Sequence, residues 1–125
     1  MTNDWTTYTI PSTPDPALSP NSRKHWHAKH RASKQARELA RITVFSQNLH
    51  YDLTENSRIL IRWEVHWSGR RKRMDDDNLI ASLKPFRDGI SDAIGGNDAQ
   101  WITTEVTQTT GNTTGTTVVH LQRGN

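Results

Sequence analysis

The sequence predicts a mixed α/β fold in a single domain over residues 1–125, a small mixed β-sheet with helices packed on it. Three observations carry that expectation. Ile59, Ile61, Trp63, Val65 and Trp67 alternate with Leu60, Arg62, Glu64 and His66, the period-two pattern of a strand with one buried face. Two flanking segments repeat their apolar residues at helical spacing, and the C-terminal segment is rich in threonine. A length of 125 residues suits one core rather than two. With 32% hydrophobic residues and a mean hydropathy of −0.83 that core is modest, and a subunit interface would add to it.

Thr6 to Ile10 reads as a first strand and Pro11 to Pro20, with four prolines, as extended loop, so residues 1–20 form an N-terminal strand and proline-rich loop. Asn21 and Ser22 offer caps for a basic amphipathic helix from about His27 to Val44, where Ala28, Ala32, Ala36, Leu39 and Ala40 recur at helical spacing. Asp77 to Ile94 is the expected cover for the alternating strand. At about 100° per residue, Leu79, Leu83, Phe86, Ile90 and Ile94 share one side, with Asp77, Ala81, Lys84 and Asp88 opposite. Pro85 is expected to bend this helix or to leave a second one starting near Ser82. Gly95 and Gly96 end it. Ile102 to Thr109 and Thr116 to Gln122 then read as two strands joined by a Gly111 to Gly115 turn, a hairpin.

The chain has no cysteine, which removes disulfide frameworks, thiolate metal sites and cysteine nucleophiles. No apolar run approaches the roughly 20 residues of a membrane helix, and Met1 to Ile10 lacks the basic start and apolar stretch of a signal peptide. The expectation is a soluble cytoplasmic protein without a membrane partner.

A net charge of +3 hides an uneven distribution. Arg23, Lys24, Lys29, Arg31, Lys34, Arg37 and Arg41 crowd one segment, Arg70, Arg71, Lys72 and Arg73 another, and Asp75, Asp76 and Asp77 follow directly. Basic flanks around acids suit a polyanion handled through a metal ion, since bare carboxylates repel phosphate. Asp75 and Asp77 converge on one hard cation if the backbone there is extended, with Asp76 pointing away. Aspartates also favour helix starts, where each contributes about 0.3–1 kcal/mol against the dipole. Asp98 reads in isolation as a turn residue, yet as a third carboxylate it would complete an oxygen shell for Mg²⁺. Lys84, two turns beyond Asp77, could steady negative charge on a phosphate. His25, His27 and His30 make a poor zinc set without cysteine and suit contact with a nucleic acid, while Trp26 could stack on an exposed base, though packing in the core is the favoured expectation.

Arg73-Met74-Asp75-Asp76-Asp77-Asn78-Leu79, then Lys84, Asp88-Gly89 and Asp98-Ala99-Gln100, resembles the RusA family of Holliday junction resolvases, common in phages and prophages. Leu18-Ser19-Pro20-Asn21-Ser22-Arg23 followed by His25-Trp26 is similar to that family's opening, and the likeness runs from about Leu18 to Val106. The resemblance implies a RusA-like fold and a phage- or prophage-encoded homodimer working in recombination and repair. It implies binding of four-way DNA junctions and, with Mg²⁺, paired incisions in opposed strands; whether Mn²⁺ substitutes is not legible in the sequence. It assigns metal binding to Asp75, Asp77 and Asp98 and catalytic assistance to Lys84, while the charge pattern itself points to Arg23, Lys24, Lys29, Arg31, Arg70, Arg71, Lys72 and Arg73 as phosphate contacts to the junction arms. The chain departs from the family pattern at Asn97-Asp98, where a pair of aspartates is common, and in a lysine placed later along the helix.

Two other readings fit the same residues. One is a non-enzymatic DNA-binding module whose aspartates only cap a helix; the other is a nuclease acting on flaps, forks or other branched replication intermediates.

Overall fold

The alternating segment is the centre of the fold. In the computed structural model, which describes residues 5–20, 23, 25–46, 58–95 and 100–124, strand β2 spans Arg58–Ser68 and buries Ile59, Ile61, Trp63, Val65 and Trp67 on one face. Each such side chain contributes on the order of 1.5–3 kcal/mol when taken from water. β2 therefore gains most from a neighbour on both sides. Strand β3 (Trp101–Asn112) runs parallel to it on one side and β4 (Thr116–Gly124) antiparallel on the other, while β1 (Thr6–Ile10) pairs antiparallel with β4. The sheet order is β1-β4-β2-β3.

Helices α1 (Trp26–Phe45) and α2 (Asp76–Ile94) both contribute to one apolar cluster. Ala40 and Val44 from α1 and Leu79, Leu83, Phe86 and Ile90 from α2 pack with Tyr8, Ile10, Val119, Leu121 and the buried face of β2. The expected α2 face is the one that is buried, apart from Ile94, which is only partly covered. The mixed sheet with helices packed on it is the predicted class. None of the described helices is long and apolar enough to cross a membrane.

Four expectations are corrected. The last two strands do not form a hairpin, because β2 lies between them. Most of β3 is exposed, so β3 and β4 gain more from apolar β2 than from each other. The connection instead passes the end of β2, where the Gly69 N–H donates to the Asn112 carbonyl at 3.1 Å and Asn112 Nδ2 donates to the Trp67 carbonyl at 3.0 Å. Second, of the two outcomes expected at Pro85 the new helix at Ser82 does not occur, and α2 is one helix from Asp76 to Ile94. The lost hydrogen bond and ring clash cost about 3 kcal/mol, less than burying Leu79, Leu83, Phe86 and Ile90 as one stripe returns.

Third, the proline-rich loop contains a short 3₁₀ turn, Pro16–Leu18, started by Asp15, whose carboxylate accepts the Ala17 N–H at 2.9 Å. Fourth, Trp26 is 64% exposed rather than buried. It is the first residue of α1 and precedes the buried positions Ala32, Ala40 and Val44, so its ring lies against His27 instead, with centroids 3.7 Å apart. The expected caps Asn21 and Ser22 lie outside the described residues. His25 caps α1, its Nδ1 accepting the His27 N–H at 3.2 Å.

An ion pair ties the two helices: Arg37 Nε and Nη2 donate to Asp92 at 2.6 and 2.8 Å. Arg37 thereby holds the Asp92 carboxyl below its ordinary range. A carboxyl that ionises more readily when folded stabilises the chain fully above the ordinary aspartate range. That stabilisation is lost as the pH falls through the lowered folded-state value. Asp92→Asn should therefore melt below the native chain at pH 6, and the gap should close as thermal melts are taken from pH 5 down to pH 2. A gap that stays constant over that range would refute the assignment.

Candidate functional site

The basic run and the aspartates occupy the passage from β2 into α2. After Trp67 the chain turns at Gly69, whose φ of 59° suits a residue without a side chain. Arg70, Arg71, Lys72 and Arg73 follow, all exposed, with the Arg71 guanidinium 5.6 Å from the Trp67 ring centroid. Asp75 is extended, at φ −59° and ψ 144°, and its carbonyl accepts the Leu79 N–H at 2.9 Å as the first turn of α2 closes. Asp76 and Asp77 are the first two helical residues. The two outer carboxylates thus leave the chain from the last extended residue and from the opening turn, not from one extended run.

Those carboxylates do not cap the helix. The Asp75 side chain makes no capping hydrogen bond, and among the described residues neither Asp75, Asp76 nor Asp77 joins an ion pair. All three are exposed. Negative charge beside the positive end of α2 is favourable, but leaving every carboxylate oxygen unoccupied is not what a capping role requires.

The passage is held from below by a residue that was not singled out from the sequence. Gln108 on β3 is buried, and its Oε1 accepts from the Met74 N–H at 3.0 Å and from Trp67 Nε1 at 2.8 Å. Its Nε2 donates to the Met74 carbonyl at 2.8 Å. One side-chain amide thus satisfies both backbone groups of Met74, as a neighbouring strand would.

The remaining predicted residues are scattered. Lys84 lies seven residues along α2 from Asp77, about 10 Å at the helical rise, and its ammonium pairs with Asp88 at 3.1 Å. Arg23 and Arg31 are exposed and Lys29 is half-buried. Of the other cations on α1, Arg37 and Arg41 are neutralised by Asp92 and Glu38. Lys24 and Asp98 lie outside the described residues. Gly95 and Gln100, which flank residues 96–99, stand at the end of α2 away from Asp75, some 28 Å along a 19-residue helix. Among the described residues no group of three or more histidine, cysteine, aspartate or glutamate side chains is placed to hold a metal ion.

A second polar grouping, unpredicted, crosses the strands. Thr7 on β1 meets His120 Nδ1 at 2.7 Å, His120 Nε2 meets Glu64, and His66 Nδ1 meets Thr109 on β3 at 2.8 Å. The hydrogen bond from His120 holds the Glu64 carboxyl below its ordinary range. These residues are on the strand positions that alternate with the core, so the row belongs to the sheet's other face.

No protein-family model matches the chain. An uncharacterized protein from Xylella fastidiosa (strain Temecula1 / ATCC 700964) is 37% identical over 90 residues, which cover 71% of this chain. The match spans 58% of that relative's own length.

Proposed function

We propose that the chain is a Mg²⁺-dependent endonuclease of the RusA kind that, as a homodimer, cuts four-way DNA junctions by paired incisions. One observation carries the reading: Asp75 and Asp77 present exposed carboxylates that, among the described residues, neither cap α2 nor meet a cation, one residue beyond four exposed basic side chains. Hard, unencumbered oxygen donors suit Mg²⁺, which retains water and takes substrate phosphate oxygens as further ligands. When bound, the ion would polarise the scissile phosphate and acidify a water for attack.

The chain's own part follows from position. Asp75 and Asp77 supply the oxygen donors, and Arg70 to Arg73 hold neighbouring phosphates through contacts that carry no sequence information. Arg23, Lys24, Lys29 and Arg31 extend that positive track in the same reading. Asp98, which lies outside the described residues, is the third oxygen donor in the same reading. Lys84 would leave Asp88 to face the phosphate. A phage or prophage origin and a place in recombination and repair belong to the same proposal.

The test is incubation of the purified protein with a synthetic four-way junction, a linear duplex and a flap, in Mg²⁺ or EDTA. Expected is symmetric nicking of opposed junction strands that EDTA abolishes, with the linear duplex intact. Junction binding without incision in Mg²⁺ or Mn²⁺ would leave a non-enzymatic binding module. Faster cutting of the flap would move the substrate to replication intermediates.

A further inference from the structure

We infer that Gln108 is a positioning residue for the Asp75–Asp77 metal site, setting its affinity for a divalent ion through the backbone of Met74; the inference rests on the nuclease reading. Met74 is the residue immediately before Asp75, and Gln108 holds it at both its N–H and its carbonyl. The same amide oxygen accepts the indole N–H of Trp67, whose ring carries Arg71. One buried amide therefore fixes the aspartate side of the passage and, through Trp67, its basic side.

The chemistry of the amide is specific. Holding Met74 at two points needs an acceptor and a donor on one planar head group, and among similarly sized side chains glutamine supplies both. An ionised glutamate still accepts from Met74 N–H and Trp67 Nε1, but it turns an acceptor toward the Met74 carbonyl. The carbonyl is then repelled and Asp75 is free to rotate. A carboxylate pair with no hydrogen bonds of its own among the described residues depends on its backbone for geometry, so loosening Met74 should be felt first as weaker metal binding. Supporting groups of this kind are worth about 10- to 100-fold in metal affinity.

The measurement is the Mg²⁺ concentration giving half-maximal junction cleavage, paired with Mn²⁺ titration of the DNA-free protein and a thermal melt. Gln108→Glu should raise the half-saturating Mg²⁺ about tenfold or more, with the rate at saturating Mg²⁺ largely recovered. Trp67→Phe, which removes the indole N–H that Gln108 accepts together with the pyrrole half of a buried ring, should move it in the same direction by less, and it serves if the Gln108 variant fails to fold. Variants that melt earlier but keep the native Mg²⁺ midpoint would show Gln108 to be structural only and overturn the inference while the nuclease reading stands. A native chain that neither cleaves nor takes up Mn²⁺ would overturn both.

Discussion

Asp77→Asn is expected to lower junction cleavage by about a hundredfold or more at saturating Mg²⁺, while affinity for the four-way junction stays the same or rises. The substitution keeps the shape of the side chain and exchanges an anionic oxygen donor for a neutral amide. Charge stabilisation by a bound divalent ion is worth several kcal/mol, and about 2.7 kcal/mol is a hundredfold in rate. Removing one negative charge beside phosphates also lessens repulsion, which is why binding should not suffer. Asp77 is exposed and makes no hydrogen bond among the described residues. Its loss should therefore cost the helix only about 0.3–1 kcal/mol of dipole interaction.

If the aspartates served only the helix start, Asp76→Asn and Asp77→Asn would lower the melting temperature slightly and equally, with no effect on a nuclease rate. Gel-shift titration and single-turnover cleavage, run on the same folded variant, separate these cases. Loss of binding together with cleavage in a folded Asp77→Asn protein would mean that the carboxylate contacts DNA and not a metal.

How much of this could be read from the residues depends on whether the signal is local. β2 and α2 were legible because burial imposes a period on consecutive side chains, and the five alternating apolar residues of 59–67 and the stripe from Leu79 to Ile90 are that period. The order of the strands was not. A turn between two threonine-rich strands favours a hairpin locally, whereas the actual sheet is decided by how much β2 gains from neighbours on both sides, a quantity that no short window contains. Trp26 misled for a related reason: its chemistry suggests burial, but its place at the start of α1 puts it ahead of the core.

The candidate site divides in the same way. Asp75 and Asp77 stood out through spacing and a neighbouring basic run. Gln108 did not, because its partners are the backbone of Met74 and the ring of Trp67, 34 and 41 residues away. The trace it did leave is a polar residue in register with buried Val65, on the alternation that includes Val106. Polar side chains in apolar slots are the ones whose hydrogen-bond partners are worth seeking.

Gly89→Ala should lower the melting temperature by about 10 °C, against the ordinary preference of helices. In an exposed helix interior the same change gains about 0.5–1 kcal/mol. Here a Cβ on Gly89 would lie 2.0 Å from the carbonyl oxygen of Arg37, 2.9 Å from its carbon and 3.0 Å from Ala40 Cβ. The obstacle is α1 backbone, which cannot swing aside as a side-chain tip would, so the two helices must part by about 1 Å. That separation disturbs the apolar cluster to which Ala40, Val44, Phe86 and Ile90 belong, and overpacking of this sort costs about 1–3 kcal/mol or more. The steric term exceeds the propensity gain. Asp88-Gly89 belongs to the motif by which the chain resembles the resolvases, and the glycine's place in it follows from helix packing. Gly89→Ala should accordingly keep its cleavage rate when assayed well below its melting temperature. A variant that melts at or above the native temperature would show that α1 and α2 do not approach so closely, and one that stays folded but loses cleavage would give Gly89 a role in the site.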